Sequence, residues 1–185
     1  MKGAEIETQD DIKQVLYSAE EICAAVTKMG EQITRDYSGR KVLLVTVLKG
    51  AFVFLADLAR QIKGDVEVDF MAVSSYGAEA SSSGVVRIIK DLQAPVDGRD
   101  VIIVEDILDS GLTLKYLLKI INARGPKSIE VATLLYKQCL QQARIEPRYV
   151  GFICPDEFVV GYGLDYAEKY RNLPYIGVLN EKVYK

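Results

Sequence analysis

The 185-residue sequence contains no histidine. That absence removes every catalytic triad and every metal site built on imidazole, and leaves carboxylates, lysine, tyrosine and backbone groups to carry any chemistry. Cysteine is scarce: Cys23, Cys139 and Cys154 are odd in number, widely spaced and form no Cys-x-x-Cys pair. Neither a disulfide framework nor a thiolate zinc site follows from them, and a reducing cytoplasm suits them. Positive charge is not in excess, with 23 Lys and Arg against 26 Asp and Glu and a net charge of −3. No global attraction to nucleic acid or to an anionic membrane is expected, so any anion site has to be a local arrangement of amides and cations. Long hydrophobic runs are missing too. The longest, Val42 to Leu48, is far too short to span a bilayer, and Met1 to Asp11 is acidic, without the apolar stretch of an export signal. A cytoplasmic protein outside the membrane is the expectation.

With 49% hydrophobic and 26% charged residues, the chain can bury one well-packed core. No repeat, low-complexity tract or linker divides it, so a single domain over residues 1–185 is expected, with Met1 to Thr8 lacking any pattern that would order it. Asp10 to Asp36 has helical apolar spacing, with Val15, Ile22, Val26, Met29 and Ile33 in one stripe. Lys41 to Leu48 is an aliphatic, β-branched run suited to a strand buried on both faces of a parallel sheet. Ala51 to Ile62 then reads as a helix, and Val66 to Val73, Val85 to Lys90 and Val101 to Val104 as strands. A polar loop, Glu105 to Ser110, and a helix from Gly111 to Ala123 follow, the helix closed by Arg124-Gly125-Pro126. Ile129 to Tyr136, Tyr149 to Ile153, Phe158 to Val160 and Tyr175 to Leu179 are the later strands. Strands alternating with helices predict an α/β fold, with a mostly parallel sheet and ligands beyond the carboxyl ends of its strands.

The most informative stretch is Val101 to Leu114. Four apolar residues bring the chain to a strand end, where Glu105 and Asp106 stand ready to accept hydrogen bonds from sugar hydroxyls. From Asp109 to Thr113 the chain turns into a helix through Ser, Gly and Thr, offering amides, hydroxyls and the positive end of a helix dipole to a phosphate. It is not a P-loop, since the Gly-x-x-x-x-Gly-Lys-Ser/Thr spacing is missing. The plainer alternative is a solvated turn in which Asp109 or Ser110 merely caps the helix. Three carboxylates within five positions repel one another unless a cation or a polyhydroxyl ligand sits among them, which favours a binding site.

Glu105-Asp106 followed by Asp109-Ser-Gly-Leu-Thr113 resembles, without a gap, the phosphoribosyl-diphosphate signature of the type I phosphoribosyltransferases. Leu48-Lys49-Gly50, Ser74-Ser75-Tyr76-Gly77, Leu134-Leu135-Tyr136-Lys137, and Phe158 to Asp165 with Arg171 extend the likeness to the bacterial hypoxanthine-guanine branch of that family. The resemblance implies a parallel sheet flanked by helices, a small hood made by the terminal segments, and a mobile lid at residues 74–84 carrying Ser75 and Tyr76. It also implies transfer of the phosphoribosyl group from phosphoribosyl diphosphate to hypoxanthine or guanine, giving IMP or GMP and pyrophosphate, with Mg2+ as cofactor and a homodimer or homotetramer as the assembly.

Residue roles follow from the same resemblance. Glu105 and Asp106 would hold the ribose hydroxyls, while Asp109, Ser110, Gly111, Leu112 and Thr113 wrap the 5′-phosphate. Leu112 brings no charge where some members carry lysine, so the phosphate depends on amides there. Asp109 would be the acid/base group beside N7 of the purine, Lys137 the donor to O6, Phe158 the stacking ring, and Val159 a carbonyl partner of the base. Asp165 would border the purine site and, with Glu105 and Asp106, supply the magnesium carboxylates. Lys49, Gly50 and Arg171 would bind pyrophosphate, with a cis peptide expected at Leu48-Lys49. Without the resemblance, Lys137 reads as a surface lysine, Phe158 as a core aromatic, and Asp165 and Arg171 as a surface ion pair. Two rivals remain: a regulatory protein on this scaffold that binds nucleotides and RNA, which the acidic balance disfavours, and a receiver domain, whose acidic pair belongs after the first strand.

Overall fold

The computed structural model of the chain describes residues 10–75 and 86–184, with Ser75 described by its backbone only. Tyr76 and most of the expected lid therefore lie outside the described residues, as do residues 1–8.

The strands are β1 (Ile12–Tyr17), β2 (Val42–Leu48), β3 (Val66–Ser75), β4 (Val86–Lys90), β5 (Asp100–Leu108), β6 (Ser128–Tyr136), β7 (Tyr149–Ile153), β8 (Val159–Val160) and β9 (Ile176–Leu179). The α-helices are α1 (Ala19–Asp36), α2 (Phe52–Gln61), α3 (Leu112–Asn122) and the short α4 (Glu181–Tyr184). Six strands form the main sheet in the order β4-β3-β2-β5-β6-β7, and β1-β9-β8 form a separate three-stranded sheet. All neighbours in the main sheet run parallel except β3 and β4. The small sheet is antiparallel and joins the two ends of the chain, which is the expected hood.

Alternation along the central strands explains why they read as unbroken apolar runs. Val42, Leu44, Ile102 and Val104 point into a core shared with Ile22, Val26, Met29 and Ile33 of α1 and Phe54, Leu55 and Leu58 of α2. Leu43, Val45, Val101 and Ile103 point to the opposite face, against Leu114, Leu117 and Ile121 of α3. Both faces of β2 and β5 are dry, so period two survives in direction but not in polarity.

Two expectations are corrected here. The helix read over Asp10 to Asp36 begins only at Ala19, because Ile12 to Tyr17 is drawn out as β1 by pairing with β9. The strand expected to end at Val104 continues to Leu108, because β6 goes on pairing with it: Glu105 lies opposite Thr133, Ile107 opposite Leu135 and Leu108 opposite Tyr136. The carboxylates Glu105 and Asp106 therefore stand on strand rather than in a loop.

Sheet order places the site. From β2 the chain moves outward through α2 to β3, and β5 then returns to the other flank of β2. Connections leave in opposite directions at β2 and β5, and their carboxyl ends open the crevice where parallel sheets hold ligands.

Candidate active site

The end of β5 is electrostatically unusual. Burial among strand ends, with the Asp106 carboxylate beside it, pushes Glu105 up to about 8 from an ordinary 4.5. Burial likewise raises Asp106 to about 6, although its own carboxylate accepts from the Ile107 amide at 2.8 Å and Arg171 acts against the rise. Such a pair is uncomfortable without a ligand, and perturbed carboxylates at a strand end mark a functional site.

The turn after β5 is shaped by a segment the sequence did not single out. The Ser110 carbonyl accepts from the amides of Gln142 and Ala143 at 3.1 and 3.0 Å, and the Gln141 side-chain amide donates to the Asp109 carbonyl. With the carbonyls taken up on that side, α3 starts at Gly111, whose φ of +75° is the left-handed conformation that glycine adopts without strain. No side chain caps this helix, so Asp109 and Ser110 are not there as caps. The first amides of α3 lack an intrahelical partner by geometry. They border a cavity of about 210 Å³ lined by Val47, Glu105 and the run Ile107 to Leu114. Asp109 is exposed beside it.

Opposite stands the turn after β2, where the Leu48-Lys49 peptide is cis as expected. Gly50 is pressed against Asp106: a Cβ on Gly50 would lie 1.9 Å from the Asp106 Oδ2. Gly163 in turn presses on Gly50, since a Cβ there would lie 2.2 Å from the Gly50 carbonyl oxygen, and Gly163 has a φ of +101°. A stack of Asp106, Gly50 and Gly163 thus fixes the turn, and Gly163 was not foreseen.

The segment carrying Gly163 also carries the expected pyrophosphate and metal residues. Arg171 donates through Nη1 to the Gly163 carbonyl at 2.7 Å and pairs through Nη2 with Asp165 at 2.8 Å, while its Nε is buried without a partner among the described residues. Glu168, also unforeseen, bridges Lys49 at 3.1 Å and Arg171 at 3.4 Å. Both cations are held at the mouth of the crevice by one exposed carboxylate.

Lys137 sits just past β6. Its amide donates to the Leu108 carbonyl at 3.0 Å, locking the ends of β5 and β6 together. Only 7% of Lys137 is exposed, so the surface-lysine alternative fails. Its Nζ lies 3.4 Å from Asp156, a partner the sequence reading missed. Phe158 is 39% exposed and Val159 is buried in β8 opposite Val178, which rules out the plain core-aromatic reading of Phe158. Ser75 ends β3, its backbone opposite Val86 of β4.

Glu105, Asp106 and Asp165 were expected to hold magnesium. No group of three potential ligands is assembled among the described residues, and Asp165 is committed to Arg171 and to the Glu168 amide at 2.9 Å. An all-protein cage does not fit. One or two carboxylates beside a diphosphate do fit, because Mg2+ keeps several waters and takes its remaining oxygens from the substrate. A larger hollow of about 570 Å³ between α1, α2 and the hood shares only Arg171 with this constellation.

Residues 14–167 match the family model of the phosphoribosyl transferase domain. The chain belongs to that family. It is 54% identical over 181 residues to a hypoxanthine-guanine phosphoribosyltransferase of Mycobacterium tuberculosis, covering 95% of this chain and 90% of the relative. It is also 54% identical over 175 residues to the enzyme of that name from Bacillus subtilis, covering 95% and 97%. Among solved phosphoribosyltransferase structures, a hypoxanthine phosphoribosyltransferase of Staphylococcus aureus superposes with a TM-score of 0.95 at 46% identity, over 98% of this chain and 99% of that one.

Proposed function

We propose that this phosphoribosyltransferase carries the 5-phosphoribosyl group from phosphoribosyl diphosphate to N9 of hypoxanthine or guanine, releasing pyrophosphate and IMP or GMP. The observation that carries the reading is the arrangement along one crevice of the amide-lined turn after β5, the raised Glu105-Asp106 pair, and Lys137 with Phe158 at its base end. Relatives of that name at 54% identity support the same substrate class.

Each group has a task that its surroundings suit. The amides and hydroxyls from Ser110 to Thr113 hold the 5′-phosphate at the start of α3. Glu105 and Asp106 accept from the ribose 2′- and 3′-hydroxyls, and sugar binding draws them toward the ionised form. Lys49, the Gly50 turn and Arg171 receive the pyrophosphate, exchanging Glu168 for a stronger anion. When bound, Mg2+ supplies neutralising charge on the diphosphate as it departs. Lys137 donates to O6, which an exocyclic amine cannot accept, so 6-oxopurines are selected over adenine. Phe158 stacks on the base, and Asp109 handles the proton at N7 as N9 bonds to C1′. The C1′–O bond loosens with oxocarbenium character, and the flanking carboxylates stabilise that charge.

The test is steady-state turnover with phosphoribosyl diphosphate against hypoxanthine, guanine, xanthine and adenine, with and without Mg2+. Metal-dependent turnover of hypoxanthine and guanine but not adenine is expected. Absence of turnover on every base would overturn the reading.

A further inference from the structure

Phe158 is more than a third exposed, yet its ring is not free. Tyr184 of α4 lies over one face, with centroids 4.9 Å apart and planes 23° from parallel. Tyr166 stands nearly perpendicular to the ring, with centroids 5.7 Å apart and planes at 86°. Aromatic rings attract in these offset-stacked and edge-to-face arrangements. One face of Phe158 is thus covered by Tyr184, while 39% of the residue stays exposed.

Tyr184 is itself anchored. The Leu179 amide donates to the Phe158 carbonyl at 2.8 Å, and the Asn180 amide to the Asp11 carbonyl at 2.8 Å. Val183 and Tyr184 pack on the hood cluster of Val160, Tyr170, Leu173 and Leu179. The short helix therefore arrives at Phe158 on a fixed path from β9, and its ring meets Phe158 as a held surface.

We propose that Tyr184 is a positioning residue for the purine: it backs Phe158, holds that ring in one plane, and so sets the surface on which the base stacks. This deepens the proposed function and rests on its assignment of base stacking to Phe158. Tyr184 lies along the plane of the Phe158 ring and so opposes its χ2 rotation, and a ring that has stopped turning forfeits less freedom when a base lands on it.

The experiment compares Tyr184→Ala, Tyr184→Leu, Tyr184→Phe and Phe158→Ala in full-length protein, measuring KM for hypoxanthine, KM for phosphoribosyl diphosphate, kcat and Tm. Tyr184→Leu keeps apolar volume and serves in place of Tyr184→Ala should the latter not fold. The expected result is a rise of about three- to tenfold in hypoxanthine KM for the Ala and Leu variants, as for the loss of one aromatic pair. Diphosphate KM and kcat should stay at wild-type values, and Tyr184→Phe should restore the purine KM. An unchanged or lowered hypoxanthine KM in Ala and Leu variants, with Phe158→Ala raising it, overturns the proposal alone; a lowered value would mean that Tyr184 occupies the face the base needs. A parallel rise in both KM values overturns it as well, because general loosening of the hood would produce that. Unchanged purine KM in Phe158→Ala sinks the stacking assignment itself.

Discussion

At the scale of single residues, the roles proposed for Asp109 and Lys137 separate chemistry from binding. Asp109 is exposed at the cavity mouth and its side chain does not cap α3, so its removal does not unbuild the turn. Asp109→Asn is expected to keep its Tm and its affinity for phosphoribosyl diphosphate while kcat falls about 10²- to 10⁴-fold; calorimetric binding beside a turnover assay checks both halves. Lys137 is buried and paired with Asp156, so its ammonium is aimed and not roaming. If Lys137 donates to O6 as proposed, Lys137→Met should raise hypoxanthine KM about 10- to 100-fold, with a narrower preference over adenine. Competition between the two bases in one reaction mixture reads that change.

Elements show why some of this was legible from sequence and some was not. Strand β2 and the Val101–Val104 part of β5 were plain, because a run dry on both faces has nothing polar to confuse it, whereas the carboxylates that follow hid the rest of β5. The turn from Asp109 to Thr113 was legible because its chemistry lies within one short stretch. β1 was not, because its strand character comes from β9, more than 150 residues away, and no local pattern carries that pairing. One signal could have found the boundary: Ser18-x-x-Glu21 is a capping box, with the Glu21 amide donating to Ser18 Oγ at 3.2 Å and the Ser18 amide to Glu21 Oε2 at 2.8 Å. Gln141, Asp156, Glu168 and Gly163 were missed for the same reason as β1, since each acts on a residue brought near by the fold.

Gly163 gives the element-scale prediction. It combines a left-handed φ with contact on the Gly50 carbonyl, so a methyl group has neither the conformation nor the room. Gly163→Ala should lower stability by about 1 to 3 kcal/mol in denaturant unfolding and displace the turn after β2. Its kinetic signature should be a raised diphosphate KM with a smaller change in purine KM, since Gly163 bears directly on the Gly50 carbonyl.

Across the whole molecule, the site is assembled at a cost to the fold, and pH exposes that cost. Glu105 has an ordinary value of 4.5 when unfolded and about 8 when folded. Below pH 4.5 it is protonated in both states and leaves stability unaffected. As pH rises toward 8 the unfolded chain releases this proton while the folded chain retains it, so the unfolded state gains and the fold loses stability through that window. Asp106 adds a loss of the same sign between its ordinary 3.8 and about 6. Glu105→Gln keeps the neutral form at every pH. Thermal unfolding of the ligand-free protein should therefore show equal Tm for wild type and Glu105→Gln near pH 4, a variant growing steadily more stable relative to wild type between pH 5 and 8, and a constant difference above that. A difference that is flat with pH would mean that Glu105 ionises normally in the fold. If Glu105 accepts from the ribose hydroxyls as proposed, the stabilised variant should also bind phosphoribosyl diphosphate more weakly, the trade expected where a site is built from groups that the fold alone would not choose.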